Sequence, residues 1–104
     1  MDHENFISFT NTILQESKVL LETRAAEYAS YEDHLSNFKQ GAALTGCTAQ
    51  QVAFIYLSKH YSAVAAYVRE GGSPLGAEPI RGRLTDLLNY VILLAALIHE
   101  EADQ

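Results

Sequence analysis

Residues 83–98 read RLTDLLNYVILLAALI, and the reading of this stretch decides the fold. Beyond Asp86 it is apolar on nearly every side, with Asn89 and Tyr90 as the exceptions. A helix that is apolar all round is a buried helix. This one must therefore be covered, by the other helices of its chain or by a second copy. Arg83, Asp86 and Asn89 recur at three-residue spacing, which sets Asp86 and Asn89 on roughly one helical face. Polar groups at the mouth of an apolar helix need partners when buried. The rest of the chain is read for those partners.

Just upstream, residues 71–77 read GGSPLGA, a loop by its three glycines and one proline. Glu78 and Pro79 then open the last helix, with proline in a first turn where its missing N–H costs nothing. Gly82 lowers helix propensity there, so it marks a close approach by another helix or a ligand. Downstream, Glu100, Glu101 and Asp103 form an acidic tail. Acids oppose the dipole at a helix C-terminus, so fraying is expected.

Thr48 to Glu70 reads as the third helix, opened by the Thr48/Gln51 capping pair. Its inner stripe is Ala53, Tyr56, Leu57, His60, Val64, Tyr67 and Val68. His60 sits mid-stripe and Lys59 lies off it. Residues 29–46 form the second helix, with Ser30 as cap, Asp33 as capping-box acid and Gly46 as left-handed stop. Its inner face is Tyr31, Leu35, Phe38 and Ala42, and Ala29 to Asn37 is rich in turn formers. Residues 4–28 form the first helix, with Phe6, Phe9, Ile13, Leu20, Leu21 and Tyr28 on one face. Ser17 and Arg24 share that face.

The expected architecture is all-α: one domain over residues 1–104, a four-helix bundle with no strand, completed by oligomerisation through the last helix. If the stripes pack inward, Arg24, His60, Asp86 and Asn89 converge, flanked by Tyr28, Tyr56 and Tyr90. Such a group either fixes the helices in register or lines a pocket with apolar walls and a few polar groups. In the second case tyrosines stack on a base, and Arg24, Lys59, His60, Arg81 or Arg83 meet phosphates.

Composition narrows the partners. The formal net charge is −6 and the pI about 5.0, which argues against DNA or RNA, whose binding rests on neutralising phosphates. The longest uninterrupted apolar run, Val91 to Ile98, is too short to span a bilayer, so no membrane is expected. The lone Cys47 suits the reducing cytoplasm and offers neither a disulfide nor a zinc cluster. It has no evident base or cation beside it to make it a nucleophile. No Gly-rich phosphate loop, HExxH or nucleophile elbow is present.

The segments TRAAEYASYEDHLSNFKQGAALTG (23–46), TAQQVAFIYLSKHYSAV (48–64) and RGRLTDLLNYVILLAAL (81–97) resemble small all-helical bacteriophage proteins. Those are similar to the nucleotide-modification-associated helical domains and, more remotely, to MazG-like nucleoside triphosphate pyrophosphatases. The resemblance spans about residues 20–98 and rests on Arg24 with Glu27 and Tyr28, Asn37-Phe38, Lys59-His60, and Asp86 with Asn89 and Tyr90. It implies a nucleotide-type ligand held by Arg24, Tyr28, Lys59, His60, Arg83, Asp86, Asn89 and Tyr90, in the cytoplasm of an infected cell. The pyrophosphatases hold magnesium with an ExxE and an ExxD pair. Here Asp86 matches the last acid, but Arg83 stands three before it and Lys59-His60 replaces the other acids. Glu27 and Glu22 are the nearest substitutes. Two expectations follow: a binding protein that captures a nucleotide-derived signal without turnover, blunting host defence, or a variant pyrophosphatase with magnesium on Glu27 and Asp86. A helical protein-interaction module is the third.

Overall fold

A computed structural model of the chain describes residues 1–28, 32–72 and 80–103, with side chains from 26 to 28 left aside. Among these residues there are four helices and no strand: α1 (His3–Tyr28), α2 (Ser36–Thr45), α3 (Ala49–Arg69) and α4 (Ile80–Ala102). The expected all-α bundle is what forms. α4 is its axis, packed on α3 along one side and on α1 along another, while α2 packs on α3.

Local chemistry explains most of the boundaries. Thr48 accepts from the Gln51 N–H at 3.0 Å, and the Gln51 side chain accepts from the Thr48 N–H at 2.8 Å, so both halves of the capping box close. Gly46 ends α2 at φ 78°, where a side chain is disfavoured. α2 begins later than expected. Ser30 lies outside the described residues, and the capping box expected between it and Asp33 lies outside them too. The Asp33 carboxylate accepts from the Leu35 N–H at 3.0 Å and pairs with Lys39 at 2.7 Å. An Asx turn thus precedes the helix and carries Leu35 into the core. Glu78 and Pro79 also lie outside the described residues.

The acidic end of α4 does not fray where expected: the helix runs to Ala102. Lys39 reaches Glu100 at 2.7 Å, the Gln50 amide donates to Glu101, and His99 stands 3.4 Å from Asp103. These contacts offset the unfavourable dipole.

The core is small. Leu35, Phe38, Ala53 and Leu97 form its centre, with Val52, Leu93 and Leu94 packed around them. α2 rides close on α3: a Cβ added at Gly41 would come within 3.1 Å of Val52 Cγ1. Much of the expected inner surface is bare. Phe6 and Phe9 on α1 and Tyr56 and Val68 on α3, all expected to face inward, are exposed. On α4, Leu84, Val91, Ile92 and Ile98 are exposed, so this apolar helix is covered on only part of its circumference. By length and composition alone α4 suffices to cross a membrane, with a mean hydropathy of 1.2 over its best window. The expectation from the uninterrupted run missed this because Thr85, Asp86 and Asn89 break the run without lowering the average enough.

Candidate functional site

Where α1 crosses α4, polar groups replace the core. Ser17 and Asn89 are almost fully buried, and the Ser17 hydroxyl donates to Asn89 Oδ1. One turn away, Arg24 Nη2 stands 2.9 Å from Asp86 Oδ1. Asp86 is 7% exposed and Arg24 is 38% exposed, so a half-solvated guanidinium meets a buried carboxylate. Asp86 Oδ1 nevertheless receives no well-aligned hydrogen bond, and Asn89 Nδ2 has no partner among the described residues. Buried groups of this kind are uncommon and mark a functional or strained place.

His60 approaches from α3. Its Nδ1 lies 3.8 Å from Asp86 Oδ2 and 3.4 Å from Arg83 Nη1. A guanidinium only donates, so in a bond with Arg83 the Nδ1 atom accepts and the ring is neutral. The electrostatics agree. Burial pushes the His60 pKa down; Asp86 opposes this, and Arg83, Lys59 and Arg24 reinforce it. The ring is offset-stacked on Tyr90, with centroids 5.3 Å apart, and Tyr90 stacks in turn on Tyr56 at 5.8 Å. Phe38 meets Tyr90 edge-on at 6.3 Å. Burial raises the Tyr90 pKa, with the Arg24 guanidinium opposing it.

Arg24, Asn89 and the Tyr90, Tyr56 and Phe38 rings, but not His60 or Asp86, line a cleft of about 400 Å³ to which all four helices contribute. Leu21, Arg24 and Ala25 come from α1, Tyr56 from α3, and Asn89, Tyr90 and Leu93 from α4. Asn37 and Phe38 on α2, with His34 just before it, close the far wall. On the other side of the Arg24–Asp86 pair lies a more open cleft of about 520 Å³ between α1 and α4, which Gly82 lines. The ion pair is thus a partition between two hollows.

Among the residues expected at the site, Arg24, His60, Arg83, Asp86, Asn89 and Tyr90 are brought together. Tyr28 and Glu27 have side chains outside the described residues. Lys59 is exposed and acts on His60 only through its charge. Arg81 is committed elsewhere: it pairs with Glu16 at 2.6 Å and lies over the Phe9 ring. Two contributors escaped the sequence reading. Ser17 was visible as a polar residue in an apolar stripe, which is the signal for a buried partner. His34 sits in the irregular lead-in to α2, where periodicity carries no information.

Among the described residues the donor set does not suit magnesium; the Glu27 side chain, expected as the other ligand, lies outside them. That ion takes oxygen ligands from one or two carboxylates and retained waters, but the Asp86 carboxylate faces Arg24 and His60. No group of three acidic, histidine or cysteine side chains gathers among the described residues, and Glu22 is exposed. Among the described residues, neither Ser17 nor Cys47 is paired with a base: the Ser17 hydroxyl faces an amide, and Cys47 lines the groove between α3 and the end of α4. No family model, curated protein or solved structure matches the chain.

Proposed function

We propose that the cleft binds a nucleotide or nucleotide-derived signal and holds it without chemistry. The observation that carries the reading is the pairing of an aromatic platform with a half-solvated arginine in one hollow. Tyr56, 47% exposed, supplies a face on which a base can stack, with Tyr90 and Phe38 packed behind it. Arg24, 38% exposed, carries more donors than its pair with Asp86 uses and can take a phosphate in a fork. A volume of about 400 Å³ lies within the usual range for small-ligand sites. The cationic cluster is local, in a chain of net charge −6, so it selects a compact anion over a nucleic-acid backbone.

The resemblance to phage proteins supports the same reading and supplies its setting, the cytoplasm of an infected cell, where capture of a signalling nucleotide would blunt defence. Titration calorimetry against nucleoside mono-, di- and triphosphates, cyclic nucleotides and ADP-ribose-type compounds tests it. Binding of one class is expected, with Arg24→Ala weakening it about tenfold or more and Tyr56→Leu weakening it for base-bearing ligands only. Silence across the panel from folded protein overturns the reading.

A further inference from the structure

The bare side of α4 carries a pattern of its own. Leu84, Leu88, Val91, Ala95 and Ile98 follow at alternating spacings of four and three residues. That is the spacing of a seam made by one helix packing lengthwise on another. Leu84, Val91 and Ile98 are each about half exposed, and Ile92 flanks them. The opposite side of the same helix is spent inside the fold, where Thr85, Asp86, Asn89 and Leu97 are buried. α4 therefore has two working faces, and one of them has nothing on it.

Size points to what is missing. The accessible surface is 7223 Å², about 1,400 Å² more than the roughly 5,800 Å² of a compact monomer of this mass. The radius of gyration is 15.5 Å, against about 13 Å for a compact chain of this length. A standard interface removes about 800 Å² from each partner. The excess is enough for one.

The charge at the two ends of α4 favours one orientation. The N-terminal end carries Arg81 and Arg83, and the C-terminal end carries Glu100, Glu101 and Asp103. Arg81 is paired with Glu16 and Glu100 with Lys39 within the chain, so the ends act through their field and not through new ion pairs. A parallel pair would bring like ends and like dipoles together, and an antiparallel pair opposes them favourably. With Val91 on the two-fold axis, Leu84 faces the partner's Ile98 and Leu88 faces the partner's Ala95. The second match puts large against small.

We infer that the bare face of α4 is covered by the α4 of a second copy, antiparallel, through the Leu84–Leu88–Val91–Ala95–Ile98 seam. The dimer is isologous, as most homodimers are. Phe9, beneath Arg81 at one end of the seam, sits where the partner's C-terminal turn arrives.

The test is solution mass by light scattering, followed by cross-linking. The full chain is expected at twice 11.5 kDa. Val91→Asp and Leu88→Glu are expected to run as monomers with unchanged helical circular dichroism. In a Cys47→Ser background, mixed Leu84→Cys and Ile98→Cys chains are expected to form a disulfide that neither forms alone. A monomeric parent, or a dimer indifferent to Val91→Asp and Leu88→Glu, overturns the inference. So does a disulfide between two Leu84→Cys chains, the mark of parallel pairing. Flotation of the chain with neutral or anionic vesicles, without a dimer in solution, assigns the face to a membrane and equally overturns it.

Discussion

The two halves of α4 are held in opposite ways. Its C-terminal half is packed in oil: Leu97 is almost fully buried beside Phe38 and Ala53, and Lys39 and Gln50 tie down the last turn. Its N-terminal half is held by a hydroxyl, an amide and charges, with Ser17 on Asn89 and Arg24 and His60 around Asp86. Apolar packing gains free energy from burial whatever its geometry. Polar burial gains little unless every donor and acceptor is met, and here two atoms are not met. The difference teaches where stability ends and a ligand's opportunity begins.

The sharpest way to break the comparison is to attack the oily half. Leu97→Ala is expected to cost about 2–5 kcal/mol in urea unfolding. That is a large share of the total for a domain this size. A cost below half the lower figure would mean that Leu97 is not the keystone of that half.

Next comes the polar half. Asp86→Ala leaves Arg24 and His60 without their carboxylate. Breaking a fully buried pair costs about 3–5 kcal/mol, but Arg24 is 38% exposed. Solvent screening brings the expectation to about 1–2 kcal/mol. Loss of the carboxylate also removes the one group that supports protonated His60, so the His60 pKa, followed by NMR, is expected to fall further. A rise would reverse the electrostatic account.

The third effect is a pH dependence. The folded chain resists protonating His60, while an unfolded histidine titrates near 6.5. Stability from this group is complete above that pH. It is lost as pH falls through 6.5 toward the depressed folded value, and it levels off below. Subtracting the curve of His60→Gln from that of the parent is expected to isolate this slope; identical curves would remove His60 from the ledger. The smallest expected effect is Lys39→Ala. It cuts the exposed bridge from Asp33 to Glu100, and global stability is expected to stay within error. Faster amide exchange confined to the last turn of α4 is the expected signature.

The sequence showed much of this unevenly. Four helices were legible because apolar spacing and a complete capping box are local signals, as at Thr48 and Gln51. The convergence of Arg24, His60 and Asp86 followed from asking which polar residues interrupt apolar stripes. The start of α2 was not legible, because the Asp33 carboxylate can serve a capping box or an Asx turn equally well. The Asx turn goes with the burial of Leu35, a tertiary event. The exposure of Phe6 and Phe9 was illegible for a related reason: periodicity names a face but not what lies opposite. His34 and Asn37 reach the cleft only because the chain turns before α2.

One consequence of the Ser17–Asn89 and Arg24–Asp86 contacts concerns heat capacity. Releasing α1 from α4 would wet comparatively little hydrocarbon, and hydrocarbon wetting dominates the heat-capacity increment and the denaturant slope of an opening reaction. The amides of α1 should then exchange through a shallow, nearly urea-independent opening, while those of α3 wait for the whole chain to melt.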